Sequence, residues 1–511
     1  MKKNKVMINV TAALITFLVT LGINFFVTPY ITNRVGAEAY GFVSLAINFT
    51  SYASIITLAI NSMASRFVSV SLFKKNEKDA NEYFNSVLAA NIIIILILLI
   101  PSILCITFLD SIIIIPSNLI IIVKILFSVI FLNFFISLIN TSFSVSTFAS
   151  NHMELYMLKT MESNLLKIFV MILLFYILGA NIVIVGIGYI LATIYQLIFN
   201  VYYMRKYLPM IEINKIYINL KRIKEVILSG IWNTLTKIGQ ILTDGLDLLI
   251  SNLFLGPLAM GQLSIAKTMS SSEAILESYL SSTFQPNITY YYAKSDPKII
   301  DEIKFSMRIV SFFANILLIG IIVFGLSFYK LWIPNQNGEL IYILTIITLV
   351  GNLVSSSINP LFSIYTITNK LKVNSLVTVG LGIYNCIIVF IILKLNIVSN
   401  GLYVIAGVSV FNALIKNLTF TPMYSAYCLG VKKTTFYIPI LQTLLNSFIM
   451  FITFSFINKI IVINSWISLL GVAFICGIIG LCISFVIMFN REEKEKLINI
   501  ILKKLRIKKN G

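Results

Sequence analysis

The amino-acid sequence predicts an all-α polytopic membrane protein of about 14 transmembrane helices, arranged as two parallel six-helix lobes plus a C-terminal helix pair. Three observations carry this. The chain has 58% hydrophobic and only 12% charged residues, with a mean hydropathy of +0.94. Apolar runs of about 20 residues, the length that crosses roughly 30 Å of hydrocarbon, recur from end to end. The chain also contains itself twice. Residues 36–46 read GAEAYGFVSLA, and 220 positions later residues 256–266 read GPLAMGQLSIA.

The repeat holds without a gap. Gly36/Gly256, Ala39/Ala259, Gly41/Gly261, Ser44/Ser264, Ala46/Ala266, Ser51/Ser271, Ser62/Ser282, Lys74/Lys294 and Ser86/Ser306 all coincide at the offset of 220. A duplicated membrane unit is a common transporter plan, because two similar halves can rock about a site at their interface.

The spans fall at 8–30, 40–65, 85–109, 118–144, 155–178, 182–204, 226–254, 258–284, 305–332, 339–367, 373–395, 400–427, 436–458 and 464–489. They must be helical, because in lipid every backbone N–H and C=O needs an internal partner. Residues 1–25 combine a basic start with an apolar run but lack a small-x-small cleavage site, so they read as the first span and not as a removed leader. Lobes are expected at 1–204 and 226–427, joined by a basic linker at 205–225. The extra pair is expected at 436–489 and a basic tail at 490–511. An even number of spans per lobe gives both lobes the same orientation, so the repeat is parallel and not inverted.

Net charge of +19 suggests nucleic acid in a soluble chain, but here the positive charge follows the membrane. With the N-terminal Lys2, Lys3 and Lys5 inside, the internal segments also receive Lys74, Lys75 and Lys78, the linker cations, Lys294, Lys298 and Lys304, Lys432 and Lys433, and the tail. Only Arg34, Lys330, Lys394 and Lys459 fall on external ends. The positive-inside rule therefore places both termini in the cytoplasm and assigns no nucleic-acid partner. The tail alternates basic with aliphatic residues and suits the anionic face of membrane lipids.

Some chemistries are excluded. The five cysteines, Cys105, Cys386, Cys428, Cys476 and Cys482, have no ligand-like spacing, and the single His152 sits at a turn, so no metal site or cofactor is assigned. No Gly-x-x-x-x-Gly-Lys-Ser/Thr loop is present for nucleotide binding. No long external segment offers the catalytic carboxylates of a glycan polymerase or transferase, which leaves an enzymatic reading remote.

Polar residues inside spans supply the candidate site. In span seven Asn233, Lys237, Gln240, Asp244, Asp247 and Ser251 recur at steps of four and three, making one stripe on one helix face. An ionisable group at mid-bilayer costs about 2.5–3.5 kcal/mol on insertion scales, so the stripe should face protein or water. Span eight carries Glu273, Glu277 and Ser281 on one face. Antiparallel packing sets Lys237 level with Glu277, and Asp244 near Glu273. Asp244, Asp247, Glu273 and Glu277 are the candidates for binding a coupling proton or sodium ion. Pairing of Lys237 with Glu277, purely to hold the bundle together, is the structural alternative.

In the first half Arg34 and Arg66 lie near span ends, Lys124 within span four, and Lys159, Glu162 and Lys167 along span five. Span one adds Thr16, Thr20, Asn24 and Thr28 at steps of four. Lysine and arginine among hydroxyls and amides suit an anionic, sugar-bearing ligand. Lys124, Arg34, Arg66, Asn24 and Lys237 are the candidate substrate-binding residues, with snorkelling to the cytoplasmic interface the alternative for Arg66 and Lys159.

The segment Thr28-Pro29-Tyr30, then Arg34-Val35-Gly36-Ala37-Glu38-Ala39-Tyr40-Gly41 with Ser44-Leu45-Ala46 and Arg66, resembles the start of bacterial polysaccharide-transport flippases. Asp247-Leu248-Leu249-Ile250 with Leu255-Gly256-Pro257 and Gly261-Gln262-Leu263-Ser264-Ile265-Ala266 resembles the matching second element. The resemblance is to the Wzx-type oligosaccharide and O-antigen repeat-unit flippases of the multidrug/oligosaccharidyl-lipid/polysaccharide exporter superfamily. It implies a V-shaped pair of lobes around a central cavity in a bacterial inner membrane, and a lipid-linked oligosaccharide on undecaprenyl pyrophosphate as substrate. A cation-coupled multidrug exporter on the same scaffold is the alternative.

Overall fold

The computed structural model describes residues 3–495, apart from 151, 396 and 399. Its regular elements are all helical, with no strand among these residues. The first lobe contains α1 (Lys3–Arg34), α2 (Ala37–Phe73), α3 (Glu77–Thr107), α4 (Ile120–Ala149), α5 (Met153–Leu178) and α6 (Ile182–Tyr207). The second contains α7 (Leu220–Leu255), α8 (Pro257–Ser282), α9 (Lys298–Trp332), α10 (Gly338–Ile367), α11 (Leu371–Lys394) and α12 (Gly401–Leu429). The closing pair, α13 (Tyr437–Ile460) and α14 (Trp466–Met488), packs on α9.

Twelve of these helices are long and apolar enough to cross a membrane, making this a multi-pass membrane protein. The other two expected spans coincide with α1 and α8, of 32 and 26 residues. α8 is the polar one, with Lys267, Glu273, Glu277 and a run of serines. Its Glu273 and Glu277 are enclosed by protein, which is how so polar a helix is accommodated within the bundle.

Both repeats begin their second helix in the same way. Gly36 and Gly256 precede α2 and α8 with φ of 104° and 91°, a region that favours glycine because it has no Cβ. These two turns lie at one end of the bundle, here the glycine end. The basic linker and most lysines lie at the other, the basic end.

The lobes meet along α1 and α2 on one side and α7 and α8 on the other. α2 and α8 cross where Gly41 faces Gly261: a Cβ on Gly41 would fall 2.9 Å from the Gly261 Cα, and one on Gly261 would fall 2.3 Å from the Ala37 carbonyl oxygen. Small residues let the backbones approach this closely. Two straps tie the glycine end. Gln336 Nε2 donates to the Thr32 carbonyl at 3.0 Å, while Asn252 accepts from Ile114 N at 2.8 Å and donates to its carbonyl at 3.0 Å. Thr32 and Asn252 are themselves 220 positions apart, so each lobe sends a loop to the same place on the other.

Three of the expected continuous spans are interrupted. α7 passes through a π-turn at Ile241–Gly245, α12 through another at Lys416–Phe420, and α10 changes at Gly351 and again at Asn359–Leu361. Pro422 and Pro360 withhold backbone donors beside two of these breaks, forcing the local hydrogen-bond pattern to shift.

Candidate functional site

α7 is held between two neighbours. Towards α2, Gly230 packs so closely that a Cβ would meet the Ala59 carbonyl at 1.9 Å, Asn233 Nδ2 donates to Ser62 Oγ at 3.2 Å, and Tyr52 donates to the Gly245 carbonyl at 2.6 Å. Towards α11, Thr236 bonds Ser375 at 2.8 Å and Gly239 touches the backbone of Thr378. The stripe of Asn233, Lys237, Gln240 and Asp244 occupies the face between. Gln240 and Asp244 are exposed although they belong to the middle of a span. Residues of this kind are costly against lipid and favour water or ligand beside this face. Lys237 is half-buried and forms no ion pair among the described residues.

Asp247, one step further, is different. It is buried, its Oδ2 accepts from Lys267 Nζ at 2.6 Å and its Oδ1 from Ser409 at 3.2 Å. Lys267 also donates to the Asp244 carbonyl at 2.8 Å, in the π-turn where that oxygen is displaced. The ammonium already supplies the charge that a bound cation would bring.

Glu273 and Glu277 lie 0% and 1% exposed, between α8 and α10. Their carboxyl groups are within hydrogen-bond reach of each other. Asn352 Nδ2 donates to Glu273, Ser355 donates to Glu277 at 2.9 Å, and Asn359 Nδ2 does so at 3.3 Å. Among the described residues no lysine or arginine pairs with either acid, and Glu273 Oε1 is buried without a hydrogen bond. An orphaned buried acceptor costs about 1–3 kcal/mol, so a proton or small cation between the two carboxyls has an energetic reason to bind. Neither acid contacts Lys237 or Asp244. The expected levels of Lys237 with Glu277 and of Asp244 with Glu273 produce no pairs, because the acids turn towards α10, away from the α7 stripe.

The sequence reading missed Asn352, Ser355 and Asn359. Their spacing of three and four in span ten is the signal that could have found them. The breaks in α10 fall at Gly351 and Asn359, beside the first and last of these ligands. Ser409 and the half-buried Lys416, whose Nζ donates to Thr378 at 2.6 Å, were also missed.

The first-half candidates are dispersed. Lys124 is half-exposed near the glycine end, bridged to Asp110 at 2.7 Å and donating to the Thr107 carbonyl at 2.8 Å. This bond holds the Asp110 carboxyl below the usual carboxylate range. Arg34 is exposed, with its guanidinium 4.9 Å from the Tyr30 ring. Arg66 is exposed towards the basic end. The side chains of Asn24, Thr16 and Thr20 lie outside the described residues. Thr28 is buried and hydrogen-bonded to Tyr40, whose hydroxyl also bonds Thr268 of the other lobe at 3.0 Å. Lys167, which the sequence placed along span five, is buried with its ammonium 4.2 Å from the Tyr189 ring and no carboxylate partner among the described residues.

The geometry has counterparts in known proteins. The "Uncharacterized membrane protein EpsK" of Bacillus subtilis (strain 168) is 27% identical over 511 residues, covering 98% of both chains. Among solved structures, the lipid II flippase MurJ in an inward closed conformation gives a TM-score of 0.62 at 13% identity, covering 94% of this chain and 98% of that one. An inward-facing multidrug resistance MATE family transporter of the MOP superfamily gives 0.61 at 13% identity, covering 82% and 98%. These likenesses establish the fold. The profile described as "Polysaccharide biosynthesis protein" matches residues 6–286, more than half of the chain, which therefore belongs to the polysaccharide biosynthesis protein family.

Proposed function

We propose that this protein is a flippase that moves undecaprenyl-pyrophosphate-linked oligosaccharide repeat units from the cytoplasmic to the outer leaflet of a bacterial plasma membrane, for cell-surface polysaccharide. In this reading both termini and the basic end face the cytoplasm. The observation that carries it is the polar α7 face, open between α2 of one lobe and α11 of the other, in a chain of this family. Lys237 on that face meets phosphate.

Alternating access follows from the two-lobe plan. α8 carries the contacts with α2 at Gly261, Ser264 and Thr268, and the acids at Glu273 and Glu277. Ser264 and Glu273 are nine residues apart, roughly 14 Å along the helix. A proton or sodium ion held by the acid pair draws the broken α10 towards α8, and the same rigid helix passes that movement to the lobe contact. Asp244 then balances charge in the polar space, while Asp247 stays neutralised by Lys267.

The test is the fate of undecaprenyl-linked oligosaccharide in cells depleted of this protein. Accumulation of the complete repeat unit on the inner leaflet, with surface polysaccharide lost, is the expected result. The buried acid pair equally suits a cation-coupled multidrug exporter. Intact surface glycan with altered drug resistance would select that reading instead.

A further inference from the structure

The linker between the lobes and the first turn of α7 expose large aliphatic side chains among their polar ones. Ile213, Ile216 and Leu220 are 65%, 80% and 79% exposed. Fully exposing three aliphatic side chains to water is unfavourable, and a local cluster of them marks a surface that something covers.

The segment is held firmly in this presentation. Asn81 Nδ2 donates to the Met210 carbonyl at 2.9 Å and its Oδ1 accepts from Glu212 N at 2.8 Å. Asn85 does the same with the Glu212 carbonyl at 2.7 Å and Asn214 N at 3.0 Å. Ser86 Oγ accepts from Asn219 N at 2.8 Å. At the start of α7, Arg222 bridges Asp79 at 2.5 Å and Glu82 at 3.0 Å on α3. Leu208 and Ile211 are buried against the bundle, and with the backbone bound to α3 the linker leaves Ile213, Ile216 and Leu220 turned away from the protein.

Two features identify the occupant. Leu220 stands on the same helical face of α7 as Leu228 and Ile231, exposed aliphatics within the membrane span, so the patch continues the lipid-facing surface. Lys215, Lys221 and Lys224 are exposed beside it. Exposed aliphatics interleaved with long, flexible lysines, whose ammonium groups can reach back to the headgroups, match the boundary between acyl chains and anionic headgroups. We infer that residues 213–220 form an interfacial anchor, with Ile213, Ile216 and Leu220 inserted into the leaflet at the basic end and Lys215, Lys221 and Lys224 holding anionic headgroups. The inference concerns no substrate and stands apart from the flippase reading.

The anchor is tested on full-length protein, with the five native cysteines replaced, reconstituted in vesicles containing phosphatidylglycerol. Nitroxide labels are placed singly at I213C, I216C, L220C and, as a solvent control, K215C. The first three are expected to be accessible to oxygen and shielded from a water-soluble nickel chelate, and the control the reverse. Changing Lys215, Lys221 and Lys224 to Gln, or using only phosphatidylcholine, should lower the shielding, each lysine contributing roughly a fivefold factor to partition onto an anionic surface. Nickel access at Ile216 equal to that at Lys215 would overturn the anchor, as would shielding from both reagents, which would mean a protein cover. Shielding indifferent to lipid charge would remove the lysines' role.

Discussion

Ser264 donates a hydrogen bond to Ser44 across 2.6 Å, and the two residues are 220 positions apart. They are the same position of the repeat, touching itself. Gly41 and Gly261, one turn nearer the glycine turns, do likewise. The lobes therefore meet on their own axis of symmetry, and any rocking that opens the glycine end must part these pairs.

Cysteines at both serines should report this. The S44C/S264C variant is expected to crosslink under mild oxidation and to stop glycan export, reversibly on reduction, while each single variant exports normally. Crosslinking that leaves export unchanged would show that this contact does not move.

Gly261 tolerates no side chain. Gly261→Ala places a carbon 2.3 Å from the Ala37 carbonyl oxygen, whereas Gly320→Ala and Gly380→Ala meet nothing within 4 Å. We expect Gly261→Ala to cost about 1–3 kcal/mol, the range for overpacking, with a lower melting temperature in detergent. The two control variants should melt as the parent does.

The acid pair separates coupling from stability. Glu273→Gln and Glu277→Gln keep the shape and remove a buried charge, so folding should hold while export falls more than tenfold and loses its response to proton or sodium gradients. Export at the parental level in both variants, at matched expression, would sink the coupling role.

Lys267→Met leaves the Asp247 carboxylate buried without its ammonium. Losing one partner of a buried pair costs about 3 kcal/mol, visible as a drop in melting temperature. Adding Asp247→Asn should restore most of it.

At the glycine end, the Lys124–Asp110 pair predicts a pH effect of known sign. Because the folded carboxyl is held low, its contribution is present at neutral pH and fades as pH falls through the carboxylate range. Asp110→Asn should abolish that component of the pH dependence of melting, and should leave Lys124 free to meet an anionic ligand.

What the sequence made legible was whatever depends on short-range spacing. The stripe of α7 and the two glutamates of α8 follow from periodicity along one helix, and the repeat from identities at a fixed offset of 220. What stayed hidden depends on which helices are neighbours. Asp247 read as one more acid of a stripe, and only the fold brings Lys267 against it. Lys124 read as a substrate-binding residue of span four, but the loop returns Asp110 to its side. Asn352, Ser355 and Asn359 were overlooked because an apolar span with a few small polar residues looks uniform until Gly351 and Pro360 break it.

The reciprocal straps, Gln336 to Thr32 and Ile114 to Asn252, have a consequence for descent. Two loops, each gripping the equivalent spot on the other's half, are the signature of an isologous interface, the kind that forms between identical subunits. Before duplication, one six-helix polypeptide could have paired with a parallel copy through this same face, and each substitution on it would have counted twice. In a single chain the halves are free of that constraint, and the paired glutamates at 273 and 277 stand in one half only, where the positions 220 earlier hold Ala53 and Thr57.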